Sequence, residues 1–346
     1  MTSTITLERF HSPALEGNPL RDPATRTVPV YTPPGYQHSD ARYPTVYLLA
    51  GFTGRGTMML NDSLWEENIQ QRMDRLIAEG RARPMILVMP DCSTRYGGSQ
   101  YLNSSATGNY EDHLLELVAY IDARYRTIPE RDYRAVAGKS SGGYGATMLG
   151  MRHPDVFGLV ADHSGDKYFE LCYQPDLPKF LRYYARAGEQ GLRQMLADPG
   201  AVRPKSGDFF AALNVAAMSA CYSPNPEAAL GFDLPLDPHT GELRAEVWAR
   251  WQALDPVNLV ERYADNLRSL RLLFFDCGTR DEYNLHYGAR IFAQRLARHG
   301  IPFVHQEFDD GHRGLNYRYD VSLAMISERV EGGKIHLTPQ RERKSP

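Results

Sequence analysis

The sequence predicts an α/β fold in which a mostly parallel, doubly wound sheet carries helices on both faces. Short apolar, β-branched runs alternate along the chain with longer stretches of helical periodicity, and this alternation is typical of parallel sheets. Several runs are almost continuously hydrophobic, as in Val46–Leu49 and Leu272–Phe275, which is the pattern of strands buried on both faces. With 346 residues, 42% of them hydrophobic, the chain is long enough for one large core and an added subdomain.

The individual elements follow from length, β-branched content and helical period. The clearest predicted helix covers Tyr110–Arg124, with Asn109 as its N-cap and with Glu111 and Asp112 in the first turn, where carboxylates favour the helix dipole. A second predicted helix ends at Gly300. The predicted strands are Thr27–Tyr31, Thr45–Leu49, Met85–Met89, Tyr133–Ala137, Gly158–Asp162, Leu270–Phe275 and Pro302–Phe308.

A long segment, from about Asp166 to about Asn266, interrupts the alternation because it contains no convincing series of strands. It has helical stretches rich in aromatic residues, separated by turns such as Ser223–Pro226. We interpret residues 166–266 as a mainly helical cap inserted into an α/β core of residues 1–165 and 267–332, with residues 333–346 as a flexible tail. The alternative is a helical layer packed elsewhere on the core.

Charge and composition narrow the class of protein. The net charge is −3 and the pI is about 6.4, which argues against a nucleic-acid partner. No apolar run reaches the roughly 18 residues of a membrane span, and Met1–Phe10 lacks the apolar centre of a secretory signal. The four cysteines are widely spaced, without CxxC motifs, and are predicted to be buried free thiols. Together these features predict a cytoplasmic protein without a membrane partner.

A G-x-S-x-G motif, Gly138–Gly142, is the strongest signal of chemistry. It follows the predicted strand Tyr133–Ala137 and opens a stretch of small residues, which is the strand–turn–helix context of a nucleophile elbow. We predict Ser140 as the nucleophile. The alternatives are an incidental turn or Ser141 as the nucleophile, while Lys139 is interpreted as an exposed side chain.

A histidine later in the chain is required as the base for such a serine. His312 lies in the Gly-flanked loop Asp309–Gly314 after the last predicted strand, where it can reach the nucleophile. His299 lies near a helix end and His305 lies inside a strand pattern, so both are weaker candidates. We therefore predict His312 as the general base.

The acid that orients this histidine is predicted in the loop that follows Leu270–Phe275. Asp281 comes after a turn permitted by Gly278 and can bond the imidazole N–H and fix its tautomer. Asp276, closer to the strand end, and Glu282 are the alternatives.

An oxyanion hole needs two backbone N–H donors. The first is predicted at Ser141, directly after the nucleophile, and the second in the loop after an early strand. That loop contains Gly51, whose freedom of backbone angle suits an unusual turn, followed by Phe52 and Thr53. We predict the N–H of Phe52 or of Thr53 as the second donor.

Four residues are predicted to border the substrate: Gly51, Tyr96, Tyr101 and His163. Tyr96 and Tyr101 bound a loop that follows a predicted strand, and His163 follows another strand. Neither metal-ligand spacing of His, Cys and Asp nor a dinucleotide-binding motif is present, so no metal and no cofactor are predicted.

Five segments resemble the esterase branch of the α/β-hydrolase superfamily, which contains esterase D (S-formylglutathione hydrolase), enterochelin esterases, feruloyl esterases and the antigen 85 mycolyltransferases. The resemblance implies Ser140, Asp281 and His312 as the triad, the oxyanion hole described above, and a homodimer. Ala50 replaces the histidine usual before Gly51, and the long insertion has no counterpart in the compact members. The resembling segments are Val46–Gly54, Gly108–Leu114, Ala137–Ala146, Gly278–Asp281 and Gly311–His312.

The function expected from these observations is hydrolysis of a small-molecule ester by a serine carboxylesterase, through an acyl-enzyme. Acyl transfer, thioester hydrolysis and cleavage of small peptides would use the same triad, and a non-catalytic binding protein of the same fold is a further alternative. The aromatic residues of the insertion predict an apolar or aromatic group on the substrate.

Overall fold

A computed structural model of the chain describes residues 2–330. Its strands are β1 (Thr4–His11), β2 (Thr25–Thr32), β3 (Thr45–Leu49), β4 (Ile86–Val88), β5 (Asn103–Ser104), β6 (Gly108–Asn109), β7 (Arg134–Lys139), β8 (Leu159–His163), β9 (Leu272–Gly278) and β10 (Val304–Phe308). Eight of them form one sheet in the order β1-β2-β4-β3-β7-β8-β9-β10, and β5 pairs with β6 in a separate ribbon.

Helices cover the sheet on both faces. They are α1 (Ile69–Ala78), α2 (Tyr110–Arg124), α3 (Ser141–Arg152), α4 (Phe169–Cys172), α5 (Leu177–Ala197), α6 (Gly207–Tyr222), α7 (Ala245–Gln252), α8 (Pro256–Leu259), α9 (Ala264–Arg268), α10 (Leu285–Arg298) and α11 (Tyr319–Val330). Side chains of α2, α3 and α10 contribute to the apolar cluster on one face, and those of α1 and α11 to the cluster on the other.

The predicted mostly parallel, doubly wound sheet is confirmed. From β4 through β3, β7, β8 and β9 to β10, every neighbouring pair is parallel. Alternate residues of β3 enter opposite clusters: Tyr47 and Leu49 pack on one face, and Val46 and Leu48 on the other. A strand with both faces buried has no polar face, and this explains its continuously apolar sequence.

Strand β1 was not predicted from the sequence. It pairs antiparallel with β2 at the edge of the sheet, with Thr4 opposite Thr32. Most of its side chains are exposed or half-buried, and Leu7 is 57% exposed. A strand with so little buried surface lacks the apolar run used to recognise the others.

Helix α2 begins and ends where it was predicted, but its cap differs. The Asn109 side chain makes no capping hydrogen bond. Instead, Oδ1 of Asn103 accepts the N–H groups of Glu111 and Asp112, each at 3.1 Å. Because Asn103 pairs directly with Asn109 in the β5–β6 ribbon, the ribbon places the capping side chain over the helix start.

The segment between β8 and β9 contains helices α4 to α9. One apolar cluster lies largely within it, around Phe180, Leu192 and Phe209. Other side chains of the same segment, such as Tyr222 and Trp251, join the main core cluster. The tail predicted for residues 333–346 lies outside the described residues.

The four cysteines are buried and unpaired, as predicted. Within residues 2–330, no helix is both long enough and apolar enough to cross a membrane.

Candidate active site

Ser140 lies on the sharp turn between β7 and α3. Its backbone has φ 58° and ψ −126°, a region that costs a non-glycine residue roughly 1–3 kcal/mol and that is often occupied at functional sites. Two neighbouring glycines make the turn sterically allowed. A Cβ on Gly138 would lie 2.3 Å from the carbonyl oxygen of Gly142, and a Cβ on Gly142 would lie 2.1 Å from that of Leu49.

His312 and Asp281 meet in adjacent loops, which follow β10 and β9. Nδ1 of His312 lies 2.7 Å from Oδ2 of Asp281, and both residues are buried. Oδ1 of Asp281 accepts the N–H groups of Tyr283 at 2.9 Å and Leu285 at 3.4 Å. Burial acts to raise the pKa of Asp281, but the hydrogen bond and charge of His312 and the two N–H groups outweigh it and lower that pKa. An ionised carboxylate only accepts, so Nδ1 carries the proton and Nε2 presents a lone pair.

The two alternative acids contact other groups. Oε2 of Glu282 accepts the backbone N–H of His312 at 2.6 Å, so it holds the loop rather than the imidazole ring. Asp276 pairs with His163 at 2.7 Å. The structure therefore brings Asp281, of the three carboxylates considered, to the His312 ring.

A cavity of about 790 Å³ opens at this edge of the sheet, and Ser140 and His312 both line it. Gly51, Phe52 and Thr53 contribute one wall, and a Cβ built on Gly51 would lie 3.4 Å from that of Ser140. The inserted segment contributes another wall, with side chains from α5, α6 and the residues before them. The nucleophile candidate, the base candidate and the oxyanion loop thus share one cavity.

The N–H groups of the oxyanion candidates differ in their availability. Ser141 is the first residue of α3, where a helix leaves its N–H groups without intrahelical acceptors. The Thr53 N–H donates to the carbonyl oxygen of Gly97 at 3.0 Å. The Phe52 N–H has no acceptor among the described residues, and of the two loop candidates it is the one free to bind an oxyanion.

Tyr101 supports the oxyanion loop from behind and Tyr96 packs against Phe232, which differs from their predicted place beside the substrate. The Tyr101 hydroxyl donates to the carbonyl oxygen of Ala50 at 2.5 Å. Its ring covers Gly145, where a Cβ would approach within 2.3 Å. Tyr96 packs edge-on against Phe232, with 6.3 Å between ring centroids. Neither tyrosine lines the cavity.

His163 also lies away from the cavity, contrary to its predicted place. Side chains alternate along β8, so His163 shares the face of Leu159 and Ala161, which α11 covers. Nδ1 lies 2.7 Å from Oδ1 of Asp276 and Nε2 lies 2.8 Å from Oγ of Ser322. This second Ser–His–Asp set is fully buried, so its hydrogen bonds are structural.

Two charged residues of the cavity wall were missed or misjudged from the sequence. Lys139 lines the cavity and is half-buried rather than exposed. Burial lowers its pKa against the opposing effect of nearby carboxylates, chiefly Glu66 and Asp281. Asp166 is buried in the same wall. The sequence signal for Asp166 was its place in a Gly-containing loop directly after β8, at the edge where parallel strands end.

Within residues 2–330, no group of three or more His, Cys, Asp and Glu side chains is arranged to hold a metal ion.

A parallel sheet with a serine on the turn between its central strand and the following helix defines the α/β-hydrolase class. Residues 23–313 match the family model described as "Putative esterase", and the chain belongs to that family. The resemblance seen in the sequence motifs is thereby confirmed.

Curated relatives match over part of their length. The chain is 31% identical over 166 residues to an endo-1,4-beta-xylanase/feruloyl esterase of Xylanibacter ruminicola, covering 45% of this chain and 22% of the relative. It is 33% identical over 164 residues to esterase Rv1288 of Mycobacterium tuberculosis, covering 45% of this chain and 31% of the relative. The chain therefore spans less than a third of either relative.

Solved structures share the fold. A ferulic acid esterase superposes with a TM-score of 0.60 at 22% identity, over 95% of this chain and all of that chain. An S-formylglutathione hydrolase from Staphylococcus aureus superposes with a TM-score of 0.58 at 16% identity, over the same shares. At these identities the likeness establishes the architecture.

Proposed function

We propose that this chain is a serine carboxylesterase that hydrolyses a small-molecule ester through an acyl-enzyme, with Ser140 as nucleophile, His312 as base and Asp281 as orienting acid. The observation that carries the proposal is the His312–Asp281 pair, 2.7 Å apart, at the wall of the cavity onto which the Ser140 turn opens. Membership of the esterase family supports the same chemistry.

In the acylation step, Nε2 of His312 takes the proton of Ser140 Oγ as Oγ attacks the ester carbonyl carbon. The imidazolium that forms is stabilised by the Asp281 carboxylate at Nδ1. The carbonyl oxygen becomes an oxyanion, bound by the N–H groups of Ser141 and Phe52. The C–O bond to the alcohol then breaks, and His312 returns its proton to the leaving alcohol.

Deacylation repeats these steps with water. His312 removes a proton from a water molecule as its oxygen attacks the acyl carbon, and the same proton returns to Ser140 Oγ when the acid leaves. An alcohol in place of water would make the enzyme an acyltransferase, and thioesters or small peptides would enter the same first step. Nothing in the described residues favours these alternatives over hydrolysis.

The inserted segment, residues 166–266, is proposed as a cap over the cavity. Tyr173 and Phe210 line the cavity from this segment, and they support an apolar or aromatic group on the substrate. Four buried thiols support a reducing, cytoplasmic location, and the family resemblance supports a homodimer.

The direct test is the initial rate of hydrolysis of p-nitrophenyl acetate and butyrate by the wild type and by Ser140→Ala. We expect the substitution to abolish turnover, because it removes the hydroxyl on the strained turn, and the hydroxyl of the adjacent Ser141 is directed to Asp166. The matched control is Ser322→Ala, which removes the hydroxyl of the buried Ser322–His163–Asp276 set and should retain turnover. Equal rates for the wild type and Ser140→Ala would contradict the assignment, and so would loss of turnover in a folded Ser322→Ala variant.

A further inference from the structure

Asp166 presents an unusual carboxyl group to the proposed active site. It lies in the loop after β8, it is 5% exposed, and it lines the same cavity as Ser140 and His312. Three groups surround one of its oxygens. Oδ2 accepts hydrogen bonds from Nε2 of Gln100 at 3.0 Å and from the hydroxyl of Tyr173 at 2.8 Å, and Oγ of Ser141 lies 3.5 Å away.

The other oxygen, Oδ1, has no hydrogen-bond donor among residues 2–330. Oδ1 is not among the buried side-chain atoms that lack a partner, so it is open to solvent. Since Asp166 lines the cavity, the missing donor has to come from the contents of the cavity. The acceptor is therefore available to a bound ligand.

The position of this acceptor is fixed before a ligand arrives. The Gln100 amide also donates to the hydroxyl of Tyr222 at 2.8 Å, and the hydroxyls of Tyr173 and Tyr222 lie 3.0 Å apart. These side chains are buried and hold Oδ2 from two sides. A carboxyl fixed in this way loses little conformational entropy when Oδ1 accepts a hydrogen bond.

A second polar group lies on the same wall. Helix α6 is lined almost wholly by buried apolar side chains, yet Asn214 in its middle faces the cavity. The Asn214 side chain makes no hydrogen bond to any described residue. This wall therefore offers hydrogen bonds to a ligand at two places.

We propose that Asp166 is a specificity residue that accepts a hydrogen bond from a hydroxyl group of the substrate, close to the bond that is cleaved. The contact with Ser141, the residue after the nucleophile, places the carboxyl beside the proposed oxyanion hole. The substrate class is therefore an ester that carries a hydroxyl group on the acyl or the alcohol part next to the ester. This inference rests on the proposed esterase function.

The test compares esters that differ only in the donor. Ethyl 3-hydroxybutyrate and ethyl 3-methoxybutyrate probe the acyl side, and 2-hydroxyethyl butyrate and 2-methoxyethyl butyrate probe the alcohol side. A methoxy group accepts but does not donate. Because the methoxy ester cannot form the hydrogen bond to Oδ1, we expect wild-type kcat/KM to favour the hydroxyl ester by about tenfold in one of the two pairs.

Asp166→Asn exchanges the acceptor for a donor. Gln100 and Tyr173 both donate hydrogen bonds, so the amide oxygen of the new side chain takes the place of Oδ2. The NH₂ group of the new side chain then points into the cavity. The preference for the hydroxyl ester should then fall to about one or reverse in favour of the methoxy ester. Asp255→Asn is the matched control, because it makes the same exchange at a buried carboxyl that does not line the cavity, so the preference should remain.

Two results would overturn the inference: a wild-type hydroxyl-to-methoxy ratio near one in both pairs, or an unchanged ratio in a folded Asp166→Asn variant. If Asp166→Asn does not fold, the hydroxyl-to-methoxy ratio of the wild type tests the inference without it. Ethyl butyrate separates the two proposals. If the wild type hydrolyses ethyl butyrate and Ser140→Ala does not, but the hydroxyl-to-methoxy ratio is near one in both pairs, the esterase function is supported and the specificity role of Asp166 is rejected. Absence of Ser140-dependent hydrolysis of every ester contradicts the function itself.

Discussion

Asp281 and Glu282 are adjacent in the chain, yet their carboxyl groups bind different parts of the same histidine. Asp281 accepts from the imidazole ring, whereas Glu282 accepts from the backbone N–H of His312. At the residue scale, the composition of the loop and its place after β9 predicted a carboxylate here. Which carboxylate reaches the ring depends on side-chain direction after a turn, and this was settled by the folded loop.

At this scale we predict that Asp281→Asn lowers kcat by about 10³–10⁴-fold. An amide can donate to Nδ1 and so favour the wrong tautomer, in which Nε2 carries the proton and is unable to act as the base. The measurement is kcat with p-nitrophenyl butyrate at pH 7–8. Glu282→Gln is the control, because the amide oxygen still accepts the His312 N–H. A larger loss in Glu282→Gln than in Asp281→Asn would exchange the roles of the two residues.

At the scale of helices and strands, the predictions match the structure best where buried apolar residues recur at a regular period in the sequence. Helix α2 and strand β3 have the predicted bounds, because each carries its apolar residues at a clear period. Strand β1 escaped prediction because most of its surface is exposed. The cap of α2 was assigned to Asn109 by position, but the capping side chain is Asn103, which comes from the neighbouring strand of a short ribbon.

The hydrogen bonds that Asn103 accepts at the start of α2 lead to a prediction at the scale of this helix. Asn103→Ala should lower the free energy of unfolding by about 1 kcal/mol, because two N–H groups at the start of α2 lose their acceptor. Asn109→Ala is the matched control and should change it by less than half as much, since the Asn109 side chain makes no capping bond. Urea denaturation measures both. Equal losses in the two variants would contradict the assignment.

At the scale of the whole molecule, the parallel sheet assembles the site. Ser140, Asp281 and His312 are far apart in the chain, but each follows a strand that runs in the same direction, so their loops meet at one edge. The inserted segment adds a wall of the cavity at this edge and also packs into the main core. Asp255 holds the two ends of this segment together, because its buried carboxylate accepts backbone N–H groups of Tyr168, Phe169 and Val257.

The raised pKa of Asp255 predicts how the free energy of unfolding depends on pH. Burial raises its pKa to about 6, against the lowering effect of the three N–H groups. In the unfolded chain the pKa is near 3.9. Between these values the folded state binds more protons than the unfolded state, so stability falls as pH rises from about 4 to 6 and this loss is complete above the folded pKa. Asp255 alone accounts for about 3 kcal/mol of this change.

The measurement compares the wild type with Asp255→Asn, which keeps an acceptor but does not titrate. The free energy of unfolding of the wild type relative to the variant should decrease between pH 4 and pH 6 and be constant above pH 7. A difference that is independent of pH, or one that increases with pH, would contradict the raised pKa.

The sequence by itself determined the class of fold, and it also supplied the proposals of an inserted segment and of the residue types of the triad. These depend on local properties: apolar period, glycine at a strained turn, and the position of polar residues just after strands. Only the tertiary structure decided that Thr53 gives its N–H to Gly97, that Tyr101 and His163 lie away from the cavity, and that Asp166 lies within it. Those outcomes depend on which face of a strand a side chain takes and on which distant groups pack against it. Neither is encoded within a few residues of the position concerned.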